Sequence, residues 1–296
     1  MKKLLSFLLI SISAFFCLSC EYYSYGLDEF FYRTNTLENR TDKLLNLSEL
    51  YSEHIPSLPD TFSILVITDV HFGGENQGVN PDRWEDSFFN ELSALKQEDQ
   101  TSFPLFCVCL GDVAEHGKKS EFKDFKEQIE DRLLSDFNIE TFNTVGNHDL
   151  YNSGYSSYKD YCFPFTSFYY FETESASFYF LDSASCSLGN KQFTKIQRRF
   201  SYDEKPKFVF MHVPLYADGK FYFSMQNTDE RNKIISLFAK NNVKAVIDGH
   251  LHEKHTSDLG KFTEYNLPGY LEDKGWSILT VTQSSGEISC ITHYAD

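Results

Sequence analysis

Basic residues are scarce in this chain: 27 Lys and Arg stand against 43 Asp and Glu in 296 residues, a formal net charge of −16 at pH 7. A polyanion is held by neutralising its phosphates with a basic surface, so this balance argues against long nucleic acid as a partner. A small phosphate ester is still allowed, because divalent cations in a cleft invert the sign of charge locally. Cysteine is also sparse. Beyond Cys17 and Cys20 there are Cys107, Cys109, Cys162, Cys186 and Cys290, an odd, scattered set with no CxxC, which argues against a disulfide framework or a zinc knuckle. Cys107 and Cys109 alternate in an apolar run and read as small core residues. Internal repeats and low-complexity segments are absent.

Aromatics, by contrast, are plentiful: 29 Phe and 18 Tyr suffice for a Phe-rich core with Tyr at its margins. The length suits one large α/β domain or two small ones.

Residues 1–20 run in the order of an export signal: Lys2 and Lys3, an apolar stretch from Leu4 to Leu18, then Ser19-Cys20. The stretch is short for a spanning helix. Cys20 resembles the lipidated residue of a bacterial lipoprotein box, with Cys17 where that box usually has Leu. The expectation is a lipoprotein-type signal peptide, a lipidated Cys20, and export to the cell envelope with the protein held at a membrane. Residues 21–60 show no strong pattern. Leu44, Leu47, Leu50 and Tyr51 suggest one helix, which Pro56 and Pro59 end, so this part is expected to be a tether with a short helix.

The domain proper is expected over 61–296. Residues 62–68, 105–110, 141–145, 168–171, 177–181, 207–211, 243–247, 276–282 and 288–292 read as strands, the last two a hairpin around Ser284-Ser285-Gly286. Between them lie helical patterns. One follows Asn80-Pro81 and carries Trp84, Phe88, Leu92 and Leu95; a second, capped by Ser120, carries Phe122, Phe125, Ile129 and Leu133; a third spans residues 229–240.

Five short motifs sit just after predicted strands: Asp69-Val70-His71, Gly111-Asp112, Gly146-Asn147-His148-Asp149, His212, and Gly249-His250-Leu251-His252. Folding would bring them to one sheet edge. Carboxylate and imidazole together suit manganese, zinc and iron better than calcium. In Asp69-x-His71 and His250-x-His252 the partners are two apart, so on an extended strand end each pair projects one way and is able to share an ion. An Asp at a strand end, such as Asp112, is able to place one oxygen on each of two ions. His54, His255 and His293 lie outside the motifs and read as surface or hydrogen-bonding residues. His116, four after Asp112, is a candidate to face the cleft, while Tyr151 and Tyr216 are candidates to stack on a leaving group or to pack the rim.

In order and spacing these five motifs resemble those of the calcineurin-like metallophosphoesterase family, over roughly residues 62 to 292. The resemblance implies an α/β fold of two mixed β-sheets packed face to face with flanking helices. It implies two divalent metal ions (Mn, Fe or Zn), one on Asp69, His71, Asp112 and His252, the other on Asp112, Asn147, His212 and His250. A bridging hydroxide would attack phosphorus, His148 would face the phosphate as proton donor or charge stabiliser, and Asp149 would orient its ring. Purple acid phosphatases place a Tyr ligand where this chain has Glu115, so their colour is not expected. Phosphoprotein phosphatases carry an Arg just after the second motif, and residues 113–119 contain none. The expected function is a secreted, lipid-anchored phosphate-ester hydrolase acting on a small substrate. The alternatives are a cyclic-nucleotide phosphodiesterase or nuclease of the same family, or a surface lipoprotein that binds without turnover.

Overall fold

The structure, a computed structural model, describes residues 36–74, 86–100 and 102–295. The export signal, the first part of the tether, and the Asn80-Pro81 start of the first helix with Trp84 lie outside the described residues.

Two mixed sheets form the centre. One has seven strands in the order β1 (Leu45–Asn46), β5 (Tyr169–Glu172), β6 (Ser177–Phe180), β7 (Lys207–Phe210), β8 (Val243–Asp248), β10 (Thr263–Asn266) and β9 (His255–Asp258). The other has five, ordered β12 (Glu287–Tyr294), β11 (Gly275–Thr282), β2 (Thr61–Ile67), β3 (Phe106–Cys109) and β4 (Glu140–Asn143). The inner strands β2-β3-β4 and β6-β7-β8 are parallel. Parallel strands need long returns, and helices supply most of these.

Strand alternation assigns the layers. On β2, Ile64 and Val66 point between the sheets, where they join Phe106, Phe142, Phe178 and Phe210, while Leu65 and Ile67 point to the helices. Across the other sheet, Phe171, Phe178 and Phe208 stack in a row, at ring separations of 4.9 and 5.4 Å. Such cross-strand aromatic neighbours fix register as well as burying area.

Outside the five-stranded sheet lie α3 (Asp86–Glu98) and a helical run from α4 (Lys119–Phe125) to α5 (Asp131–Phe137), which place Phe88, Leu92, Phe122, Phe125, Ile129 and Leu133 in one cluster. The two halves of that run are joined by a wider turn over Lys126–Glu130. Ser120 does not cap this helix; it lies inside it, and the cap position is Lys118. Glu121 performs the capping, accepting from the amides of His116 and Lys118. Over the other sheet lie α7 (Gly189–Phe200) and α8 (Thr228–Lys240), with Ile196, Phe200, Ile234 and Phe238 inward.

From residue 36 on, the expected tether is part of this body. α1 (Leu37–Arg40) and α2 (Leu47–Leu50) flank β1, which pairs parallel with β5, and Leu37 and Leu47 are buried. No helix among the described residues is long and apolar enough to cross a membrane.

Candidate metal centre

The five motifs leave β2, β3, β4, β7 and β8 at the same edge of the sandwich, where both sheets end. Their backbones are unusual. Asp69, His71, Asp112, His250 and His252 all have left-handed φ, between 50° and 70°. Non-glycine residues adopt this region rarely, and such outliers gather at functional sites. Glycines let the motifs touch: a Cβ on Gly146 would overlap Asp112, and one on Gly249 would overlap Thr68 and Asp69.

Three groups of side chains result: two hold the expected ligands, and the third, His71, Glu115 and His148, shares His71 with the first. In the first, Asp69, His71 and His252 hold their donor atoms within 4.8 Å of one another. Asp69 Oδ1 is buried without a well-formed hydrogen bond and faces Nε2 of His252 at 3.2 Å and of His71 at 3.8 Å. The two imidazole Nε2 atoms are 3.4 Å apart. In the second, Asp112, His212 and His250 gather within the same distance. Asn147 joins them, its Oδ1 being 3.1 Å from His212 Nε2. Asp112 stands between the groups: its Oδ2 lies 3.2 Å from His212 Nε2 and 3.8 Å from His71 Nε2.

An orphaned buried carboxylate oxygen facing two imidazole nitrogens fits a cation, and the outward nitrogens agree. His212 Nδ1 donates to the Leu110 carbonyl (2.9 Å), which leaves Nε2 as the lone-pair nitrogen. His71 Nδ1 is 2.7 Å from Glu115 Oε2, and His252 Nδ1 is 3.4 Å from Glu272 Oε1. Oxygen partners behind the ring are how metal-binding histidines are aimed. The same crowding moves the charges. Burial opposes charge on His212, yet Asp112 beside it raises its pKa to about 9; His252 reaches about 9 through Asp69 in the same way. Burial and the neighbouring His212 push His250 down to about 4.

All seven residues expected as ligands lie together at this edge. The spacing argument for His250 and His252 is corrected: the pair divides between the groups, whereas Asp69 and His71 share one. Asp149 is corrected as well. Its carboxylate accepts from the amides of Ala114 (2.9 Å) and Gly146 (2.8 Å), fully buried, and pins the second motif to the third. Burial, then the charge of Asp112, raises its pKa to about 7.

His148 is oriented by Glu115 instead. Its Nδ1 donates to the Glu115 carbonyl at 2.9 Å, with Glu115 Oε2 at 3.5 Å, and its amide donates to Asp112 Oδ1 at 2.7 Å. Sequence reasoning registered Glu115 only as a position without Tyr; its place three residues after Asp112 was the available signal. Tyr151 packs on His148, ring centres 4.7 Å apart, and is 42% exposed, so it borders the site. His116 pairs with Glu121 and belongs to neither group. Tyr216 contributes its amide to Glu264, which also accepts from the amides of Leu215 and Ala217 and so holds the turn after His212.

Comparison with known proteins agrees with this geometry. A probable cyclic nucleotide phosphodiesterase of Fibrobacter succinogenes is 26% identical over 208 residues, 68% of this chain and 77% of the relative. Among solved structures, a dimetal phosphatase from Danio rerio superposes with a TM-score of 0.56 at 13% identity, covering 79% of this chain and 99% of its own. A purple acid phosphatase from yellow lupin gives 0.58 at 15% identity, over 82% of this chain and 55% of its own. GAP50, the anchor in the inner membrane complex of Plasmodium, gives 0.54 at 15%, over 80% and 89%. These structural likenesses establish the sandwich of two mixed sheets and helices; the chemistry rests on the side chains. Residues 62–254 match the sequence profile of the calcineurin-like phosphoesterases, and the chain belongs to that family of metal-dependent phosphoester hydrolases.

Proposed function

We propose that this chain hydrolyses small phosphodiesters, a cyclic nucleotide being the first substrate to try. The observation that carries the reading is the pair of carboxylate and imidazole groups that meet at Asp112, with His148 beside them. The diester preference is supported by the curated relative over two thirds of the chain. Restriction to small substrates is supported by the strongly acidic balance.

In this reading Asp69, His71 and His252 would hold one ion and Asn147, His212 and His250 the other, with Asp112 placed between them to contribute to both. Bound there, two divalent ions supply a water of lowered pKa and the counter-charge for phosphate. Manganese, iron and zinc each suit this donor set. His148, whose Nδ1 proton is committed to the Glu115 carbonyl, presents Nε2 to the leaving oxygen; acting as the imidazolium, it gives up its Nε2 proton there and is left neutral. Asp149 keeps the loop that carries Asn147 and His148 in register with Asp112.

The test is to load the protein with Mn²⁺ and compare a chromogenic monoester, a chromogenic diester and a cyclic nucleotide. Metal-dependent turnover, faster on the diesters, is expected. His148→Ala should lower kcat by about 10²–10⁴-fold while both ions stay bound. Two bound ions with no turnover of any of the three would instead favour a protein that binds without catalysis.

We also propose, from the charged start, apolar run and Ser19-Cys20 of residues 1–20, that the chain is exported and held at a membrane of the cell envelope by a lipid on Cys20. Growth with labelled palmitate should mark the wild type and not Cys20→Ala, which should leave the membrane fraction. Label on both chains, or on neither, would sink the idea.

A further inference from the structure

The second ligand group is braced from behind by a set of residues that ends on Arg40, which lies ahead of the span matched by the family profile. His212 and its neighbour Val213 both donate their amides to the hydroxyl of Ser183, at 3.1 and 2.7 Å. Ser183 belongs to a turn after β6, closed by the amide of Cys186 on the Ser183 carbonyl. That turn is gripped by Arg40. Its Nε and Nη2 donate to the two carboxylate oxygens of Asp182 at 2.8 and 3.1 Å, and Nη2 also reaches Ser185 Oγ at 3.0 Å. The pair is buried, with side-chain exposures of 3% and 0%. Gln192 of α7 holds the backbone of Asp182 from the other side, bonding its amide and its carbonyl.

The same guanidinium lies 5.6 Å from the centre of the Tyr155 ring. Tyr155 opens α6 (Tyr155–Tyr161), which directly follows the loop of Asn147 and His148. Arg40 thus touches two of the segments behind the second group, the turn behind His212 and the helix that follows the loop of Asn147. The oxygen partners behind His71 and His252 in the first group are Glu115 and Glu272 instead. A bidentate guanidinium is the side chain suited to this task, because its planar fork fixes orientation as well as charge.

We propose that Arg40, with Asp182 and Ser183, is a positioning unit for the ion held by Asn147, His212 and His250, so that the segment ahead of the family domain sets the affinity of one ion of the two. This inference rests on the two-ion reading above. Partners one step behind a ligand typically change metal affinity by about 10–100-fold.

The experiment is a calorimetric titration of metal-free, full-length protein with Mn²⁺. His212→Ala and His252→Ala serve as references that identify the step belonging to each group. Asp182→Asn and Ser183→Ala should each weaken the His212 step by about 10–100-fold and leave the His252 step within about twofold. If Asp182→Asn does not fold, Arg40→Lys, which keeps one charged bond, is judged by the same criterion. Folded variants with both steps unmoved, or with both weakened alike, would overturn the proposal, the second result meaning general loosening only. Wild-type protein that takes up no Mn²⁺ would sink the two-ion reading itself, so the two failures are distinguishable.

Discussion

Glu115 engages two imidazoles at once, with its carboxylate 2.7 Å from His71 Nδ1 and its carbonyl on His148 Nδ1. The close contact with the His71 ring holds its carboxyl below the usual range, so it stands as an anion behind a ligand. A carboxylate there raises the basicity of the ligand and fixes its ring. Glu115→Gln keeps the carbonyl contact to His148 and removes the charge behind His71. The variant is expected to weaken the ion of the Asp69, His71 and His252 group by about tenfold or more, the step opposite to the one Ser183→Ala moves. A metal titration reads this directly, and an unchanged isotherm would reduce Glu115 to a holder of His148. The sequence told which residues meet, since every ligand lies within a few residues after a strand. It did not tell which residue stands behind which ring: Asp149 looked like the orienter of His148, yet backbone amides of Ala114 and Gly146 had taken its oxygens. Hydrogen bonds to backbone groups of another segment leave no trace in residue identity.

Elements were legible in proportion to their apolar content. Strands β2, β3, β7 and β8 are mainly apolar and buried over most of their length, and the sequence reading located each to within about two residues. The hairpin β9-β10 escaped because His255–Asp258 and Thr263–Asn266 are polar and pair through backbone bonds at a sheet edge. Helix α7 escaped too, being Lys, Gln, Arg and Asn with only Phe193, Ile196 and Phe200 on its inner side. β1 is two residues long, too short for any period, and only its pairing with β5 reveals it. Yet the segment around it is structural: Leu47 is fully buried among Phe62, Phe163 and Tyr169. Leu47→Ala is expected to destabilise the fold by about 3 kcal/mol through lost burial and the cavity left behind. Urea unfolding at fixed metal concentration checks it, and a loss below about 0.5 kcal/mol would mean the segment is a mere covering.

At the scale of the whole molecule, the packing of two sheets face to face is a long-range result that no window of sequence contains, and only the motif resemblance selected it. Its stability nevertheless has a local control. Glu130, in the wide turn between α4 and α5, is buried beside Cys107, Cys109 and Cys162. It accepts a 2.7 Å bond from Asn143 Nδ2, and Asn143 in turn receives the hydroxyls of Tyr158 and Tyr169 on its carbonyl. Burial raises the Glu130 carboxyl to about 8 from an ordinary 4.5, against the lowering effect of the Asn143 bond and of Lys126. The folded state therefore holds this proton more tightly than the unfolded chain. Its contribution is complete below pH 4.5, shrinks as pH rises between 4.5 and 8, and is gone above 8. The amount at stake is on the order of a few kcal/mol. Glu130→Gln keeps an oxygen for Asn143 and has no proton to lose. Its stability relative to wild type, from urea midpoints at matched pH, should rise steadily from pH 5 to pH 8 and then level off. Titration of the metal ligands is common to both proteins and cancels in that difference. A difference that stays flat across the range would mean that Glu130 is already ionised in the fold, with Lys126 rather than the proton balancing it.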